Sequence, residues 1–452
     1  MRSTRIAVLV VLAASVLGGW FVLARANVQA GHEYDAYLTA ARAKAELGVT
    51  SEVVENYRAA LDLRPDDAVA AELADYVVRE EEDDAATDIL EDLVNAYPTT
   101  AVFYERLAAE YVADEQYPDA FAVYHRADRK HVRSPVLTAG YRSIEYAYEL
   151  GTTRYIKVTP FSADDVAGVG DGAGVLGGGV SRWLFVDAQG RKIGDPYDEV
   201  GAFAGGNGAV VRDSLPFYVD DRGRTTYVAR LVDYTRYGTL ASGIIPAEKP
   251  DGTTTYLSTD FTPKFDGTSF DEGYAFVGGL AAVRSGSQWK VVGTDGIQVG
   301  GPYERVAVDE AGAAVGAERY FASTSGSYRM YDADGTQVTT TGFADARPFE
   351  GTGPAAVKIG DRWGFVDAEG EVVIKPAYDD ARSFANGLAA VEVDGAWGYV
   401  DAHGTLVIPA RFEGATDFSS RGSTFVATQP PAADDSSTAA SWQLLTLYRF
   451  EE

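Results

Sequence analysis

Cysteine is absent from all 452 residues. Disulfide frameworks, zinc–thiolate centres, iron–sulfur clusters, cysteine nucleophiles and lipid anchors carried on cysteine are therefore excluded. Histidine is scarce: His32, His125, His131 and His403 are scattered. His125 and His131 stand six apart, a spacing that does not set two metal ligands on one helix face. No Gly-x-Ser-x-Gly nucleophile elbow is present. Positive charge is also in deficit, with a formal net charge of −28. A surface this acidic repels phosphate backbones, so nucleic acid is not an expected partner.

Long apolar runs are absent except at the start. Ile6 to Ala24 is 19 residues without a charge, preceded by Arg2 and Arg5. A membrane span needs about 20 apolar residues and a signal-peptide core about 7–15, so residues 1–26 are expected to be a transmembrane signal-anchor. The arginines would stay cytoplasmic and the bulk of the chain would lie outside the cell membrane. Secretion after cleavage near Ala24-Arg25-Ala26 is the alternative.

Glycine and proline are rare between residues 33 and 150, and apolar residues recur there at helical spacing. Tyr104, Leu107, Ala108 and Tyr111 form one face; Ala120, Tyr124 and Ala127 form the next. About 34 residues earlier stand Ala70, Leu73, Ala74 and Val77, then Ala86, Leu90, Leu93 and Pro98, and before them Tyr57, Ala60 and Pro65. Small residues let paired helices approach, and the prolines end each second helix. This pattern resembles the tetratricopeptide repeat over about three units, residues 34–133, with Ala41 in place of the family's usual glycine. A helix from Val136 to Leu150 is expected to cap the stack. The resemblance implies a curved α-helical solenoid with a concave surface for peptides; a plain helical spacer is the alternative. The segment 33–150 carries 26 acidic and 11 basic side chains, a net of −15. Its run Glu80-Glu81-Glu82-Asp83-Asp84 lacks the alternate ligands and central glycine of a calcium loop and reads as a solvated turn.

From residue 154 to 452 glycine, threonine, valine and aromatics rise, in short alternating runs separated by Asp and Gly. Trp363-Gly364-Phe365-Val366-Asp367-Ala368-Glu369-Gly370 recurs 34 residues later as Trp397-Gly398-Tyr399-Val400-Asp401-Ala402-His403-Gly404. Trp183 to Gly190 keeps the frame; Pro216 to Gly223, Trp289 to Gly296 and Tyr328 to Gly335 are weaker copies, and Trp442 opens a degenerate one. Gly279, Gly353 and Gly387 each begin an apolar strand ten residues before a tryptophan, and Tyr378 or Phe412, then Phe384 or Phe418, follow each hairpin. Three short strands per unit are expected, with Trp363 and Phe365 on one face. Gly364 would admit close backbone, and Asp367 with Gly370 would bracket the hairpin. These residues resemble the WG-repeat (KWG-repeat) family, whose members are often secreted or anchored. Seven or eight units suit a propeller-like ring; an open β-solenoid is the alternative. The expected fold class is thus a multidomain α + β chain.

No constellation reaches the standard of a catalytic, cofactor or metal site, and none is assigned. Gly172-x-Gly174-x-x-Gly177 precedes a predicted strand, Val180 to Val186, rather than the helix that dinucleotide binding requires. Asp332-Ala333-Asp334-Gly335 fills the hairpin slot, so turn chemistry accounts for it. An active site should break the repeat with clustered polar residues, and the irregular stretch 224–262 is the place expected for one. The tail Pro430 to Ser437 reads as an insertion. The function expected is a non-enzymatic binding or scaffolding protein of the cell envelope, with a protein or peptide partner or a cell-wall glycan. The alternative is an extracytoplasmic carbohydrate-active enzyme on the same fold.

Overall fold

The computed structural model describes residues 29–48, 50–80, 83–170, 182–228, 234–429 and 441–450. They form two compact units that meet in sequence at Ala147 and Tyr148. Among the described residues no helix is long and apolar enough to cross a membrane, so the expected single-pass anchor gains no support and is withdrawn. The run Ile6 to Ala24 lies outside the described residues, as do Gly172 to Gly177 and Pro430 to Ser437.

The first unit holds the helix α1 (29–46), then α2 (Thr50–Leu63), α3 (Asp67–Glu80), α4 (Asp83–Ala96), α5 (Ala101–Ala113), α6 (Tyr117–Arg129) and α7 (Pro135–Ile144). α3, α5 and α7 start 34 residues apart. Side-chain caps set the starts of α3 and α7. Pro65 cannot continue α2, and the Asp66 carboxylate accepts the amides of Ala68 at 3.0 Å and Val69 at 3.3 Å. Ser134 Oγ accepts the Leu137 amide at 3.0 Å, with Pro135 in the first helical position. The helices close on the residues expected: Ala41, Ala74 and Ala108 are buried, as are Tyr57, Leu73, Leu90, Tyr104 and Leu107. α3 packs on α5 and α5 on α7, whereas α2, α4 and α6 make no comparable contact with one another. The odd-numbered helices therefore occupy the tighter, inner side of a curve. Ion pairs tie α3 to its neighbours on the surface, Glu72 to Arg42 of α1 at 2.7 Å and Asp75 to Arg106 of α5 at 2.8 Å. α7 stops at Ile144, short of the expected Leu150, because Tyr148–Leu150 is taken up as a strand of the second unit.

That unit is an eight-bladed β-propeller. Blades one to seven run Lys157–Tyr197, Glu199–Val228, Arg236–Phe270, Glu272–Tyr303, Arg305–Asp332, Asp345–Tyr378 and Asp380–Phe412. Blade eight joins Gly414–Ala415, Ser423–Thr428 and Ser441–Leu447 to Tyr148–Leu150 as its outermost strand. The strand order decides for a closed ring over a solenoid, and it moves the start of the β unit from 154 to Tyr148. Most blades have four strands rather than three. The innermost is often only two residues long, such as Asp380–Ala381 paired to Glu392 and Val391, too short to leave an alternating pattern. Blade five has three strands, with bridges from Tyr328 to Phe343 and Tyr331 to Gln337 outside them.

The Trp-Gly pair has a steric origin. In blade six Trp363 pairs with Tyr378 and Phe365 with Ile374, so the outer strand bulges at Lys375–Ala377 opposite Gly364. A Cβ on Gly364 would lie 2.7 Å from the Ile374 carbonyl oxygen and 2.7 Å from the Pro376 nitrogen. Gly398 faces the same bulge in blade seven, 2.6 Å from the Ile408 oxygen. The hairpin that follows is built as the sequence suggests. Asp367 accepts the amides of Glu369 and Glu371 at 3.1 and 2.9 Å, and Gly370 takes φ 87°. Asp401 repeats this with His403 and Thr405 at 2.9 Å. The large buried aromatics are Phe365, Tyr399 and Phe185, all 0 % exposed. Trp363 is buried too, but Trp397, Trp183 and Trp289 are only half-buried, nearer the blade rim.

Blades join through one repeated wedge. Three residues past the inner strand stand Phe161, Leu240, Phe276, Phe349, Phe384 and Phe418, and Phe203 fills the same role near the end of the longer inner strand Glu199–Ala204, all buried. Each aromatic wedge packs on a ring of the preceding blade: Phe384 on Phe365 and Phe418 on Tyr399, both with centroids 4.8 Å apart, and Phe276 on Tyr256 at 5.0 Å. Phe161 stacks on Phe425 at 5.2 Å and so carries the pattern across the closure from blade eight to blade one. Blade five breaks it. Asp309 takes the wedge position, and Ala314 and Val315 fill the seam instead.

Two outcomes test this account. Gly364→Ala should lower stability by about 1–3 kcal/mol, the usual cost of overpacking, in a denaturant titration. A polypeptide of residues 148–450 should melt above one starting at 154, since the latter leaves the edge of Ser441–Leu447 bare.

Candidate functional site

The departure of Asp309 from the wedge pattern leads to the main cluster of charge in the ring. The position after the inner-strand alanine carries Arg347 in blade six, Arg382 in blade seven and Thr416 in blade eight. Arg382 grips Asp417 of blade eight with two bonds, Nε to Oδ1 at 2.8 Å and Nη2 to Oδ2 at 2.6 Å. Its Nη1 donates to Glu310 Oε1 of blade five at 2.8 Å. The Asp417 side chain is 8 % exposed and that of Arg382 19 %. Burial pulls the guanidinium pKa down, but Asp417 and Glu310 outweigh it, and Arg382 stays charged. Arg347 is spent elsewhere, on Asp380 at 2.8 Å.

Two further carboxylates face this group. Burial pushes Asp309 up to about 6, with the charges of Asp417 and Glu310 adding to the shift and the amides of Ala313 and Ala311 opposing it. Burial raises Glu350 well above the usual range, and repulsion from Asp417 and Asp309 raises it further, against the pull of Arg382. Both keep partial contact with solvent. One guanidinium thus stands among four carboxylates. Among the described residues no group of His, Asp and Glu is arranged to hold a metal ion.

The features weighed in the sequence lie elsewhere and do not converge. His403 is exposed in its hairpin, His125 lies against the rings of Phe121 and Tyr141 on α6, His131 follows α6 with φ 59°, and His32 is on α1. Glu80 ends α3 and Asp83 begins α4. Asp332 accepts the amides of Asp334 and Thr336, which confirms its turn role. The stretch 224–262 builds the outer edge of blade two and most of blade three, with residues 229–233 outside the described set. Ser287 and Lys290 match a Ser-x-x-Lys spacing, but on a hairpin and strand, where residues three apart point to opposite faces. The axial cluster went unseen because Asp309, Glu350, Arg382 and Asp417 come from four blades. The available signal was Asp309 in a column otherwise filled by phenylalanine or leucine. On the helical unit, a shallow cleft is lined by Arg42, Ala45, Glu72, Asp75 and Arg79, with Tyr57 and Tyr76.

Residues 363–395 and 397–426 match the family described as WG containing repeat. No curated protein matches the chain. Among solved structures it is similar to BamB from Moraxella catarrhalis, at 12 % identity and TM-score 0.39, covering 66 % of this chain and all of that one. PorZ of Porphyromonas gingivalis, an essential surface component of a type-IX secretion system, matches at 12 % identity and TM-score 0.33, over 66 % of this chain and 44 % of that one. Kluyveromyces lactis Hsv2 matches at 13 % identity and TM-score 0.34, over 65 % and 98 %.

Replacing Arg382 by Gln should cost about 3–5 kcal/mol, because Asp417 is left buried and unpaired. The same change at Arg362, exposed beside Asp379, should cost less than about 1 kcal/mol. Equal losses in denaturant titrations would show that the axial pair is no more buried in effect than the surface one.

Proposed function

We propose that the chain is a non-catalytic protein-interaction scaffold, in which a tetratricopeptide-type array and a WG-repeat propeller each present a docking surface. The carrying observation is the packing of α3 on α5 and α5 on α7, which gives the array an inner face. Two matters support the reading. The starts of α3, α5 and α7 keep a 34-residue period, and the array's charge is a net −15 over residues 33–150. That acidic surplus favours an extended protein segment bearing basic residues, while the cleft itself carries both signs, Arg42 and Arg79 beside Glu72 and Asp75. The propeller adds a rigid surface made of strand ends and hairpins, suited to protein contact through backbone and aromatic groups.

Exposed charge pairs are screened beyond about 8–10 Å at physiological ionic strength. Affinity capture with the whole chain should therefore recover partners that wash off as salt rises. Deleting residues 33–147 should lose those partners and keep the salt-resistant set held by the propeller. The proposal fails if the deletion leaves the salt-sensitive set intact, or if the whole chain captures nothing above an unrelated acidic protein.

A further inference from the structure

The loop Asp309–Ala313 of blade five reaches across the ring. Its immediate neighbours are blades four and six, yet the Ala311 carbonyl accepts from Thr239 Oγ1 of blade three at 3.4 Å, and Glu310 is held by Arg382 of blade seven. Contacts to both next-but-one blades are available only near the axis, where blades converge. The loop is braced from within. Asp309 accepts the amides of Ala311 at 2.8 Å and Ala313 at 2.7 Å, and Gly312 turns with φ 80°. The groups facing it are Glu350 of blade six, Arg382 of blade seven and Asp417 of blade eight, with the buried phenol of Tyr399 close to Asp417 and Arg382.

We propose that this loop is a proton-operated plug at the propeller axis, seated when the surplus carboxylates Asp309 and Glu350 are neutral and loosened when all four carboxylates are ionised. Arg382 already satisfies Asp417 and Glu310 through direct bonds. Among the described residues neither Asp309 nor Glu350 makes an ion pair of its own, and their ionised forms repel Asp417 and Glu310, the carboxylates that Arg382 holds. The sign follows from linkage. Asp309 titrates near 6 in the fold, above its unfolded value, and Glu350 is raised as well. The folded ring therefore takes up protons that the unfolded chain does not hold. The stabilisation is full below the unfolded carboxylate range and is lost as pH rises through about 6 for Asp309 and through the raised range of Glu350.

The test uses the full chain at pH 5.5 and 7.5, with thermal melting and amide hydrogen exchange corrected for intrinsic rates. The wild type should melt about 2–4 °C higher at pH 5.5, and the amides of Ala311, Gly312 and Ala313 should be better protected there. D309N keeps an oxygen for the two amides, and E350Q lies outside the turn. The double variant should melt alike at both pH values and protect the loop at pH 7.5 as the wild type does at 5.5. E350Q alone should reduce the pH difference, which keeps the test decisive if D309N disturbs the turn. The plug is refuted if the variants retain the wild-type pH difference, or if loop protection in the wild type is the same at both pH values.

Discussion

An aromatic wedge set into the preceding blade is the contact on which the propeller depends. A blade of four short strands buries little between its own strands, since many residues on both of its faces are apolar. Phe384 against Phe365 and Phe418 against Tyr399 remove those faces from water only because a neighbour stands on each side. Each blade is thus stable in company, and the ring is the smallest object in which every blade has two neighbours. The Phe161–Phe425 stack shows that the wedge survives at the closure, where the sequence repeat has decayed most.

Where the fold was legible, one residue type met one local demand. Gly364 and Gly398 recur because an outer-strand bulge leaves no room for a Cβ, and Asp367 and Asp401 recur because a hairpin needs two amides satisfied. The caps Asp66 and Ser134 emerged only in the structure, but the helix stops were legible for the same reason, through Pro65 and Pro98. Features built from distant segments were not. Most inner strands are two residues long, below any period, and the closing strand Tyr148–Leu150 continues a helical-looking stretch while its partner lies about 300 residues on. The Trp-Gly frame marked the repeat without marking its depth: Phe365 and Tyr399, two residues past Trp363 and Trp397, are the ones fully enclosed. The axial charges could be read only by noticing that Asp309 stands in a phenylalanine column.

The two units treat charge in opposite ways. On the helices, acidic residues are exposed and pair with arginines one repeat away, each pair contributing little to stability. In the propeller, Arg382, Asp417, Asp309 and Glu350 meet where water is limited, with the more exposed Glu310 at their edge, and the same charges become costly and consequential. Surface charge of the first kind tunes encounter with a partner; enclosed charge of the second kind tunes the ring itself.

Closure by an N-terminal strand also sets an order of events during synthesis. Tyr148 leaves the ribosome about 300 residues ahead of Leu447, its pairing partner, an interval of roughly 15–60 s at 5–20 residues per second. Throughout that interval the first strand of the β unit has no hydrogen-bonding neighbour, and blade one lacks the face that Phe425 will cover. The last strand of the ring in chain order, Ser441–Leu447, supplies the missing edge. A chain cut short anywhere before it keeps an open seam of apolar side chains and unpaired amides. Copies with an open ring therefore display the surface that chaperones and proteases recognise, and closure conceals it.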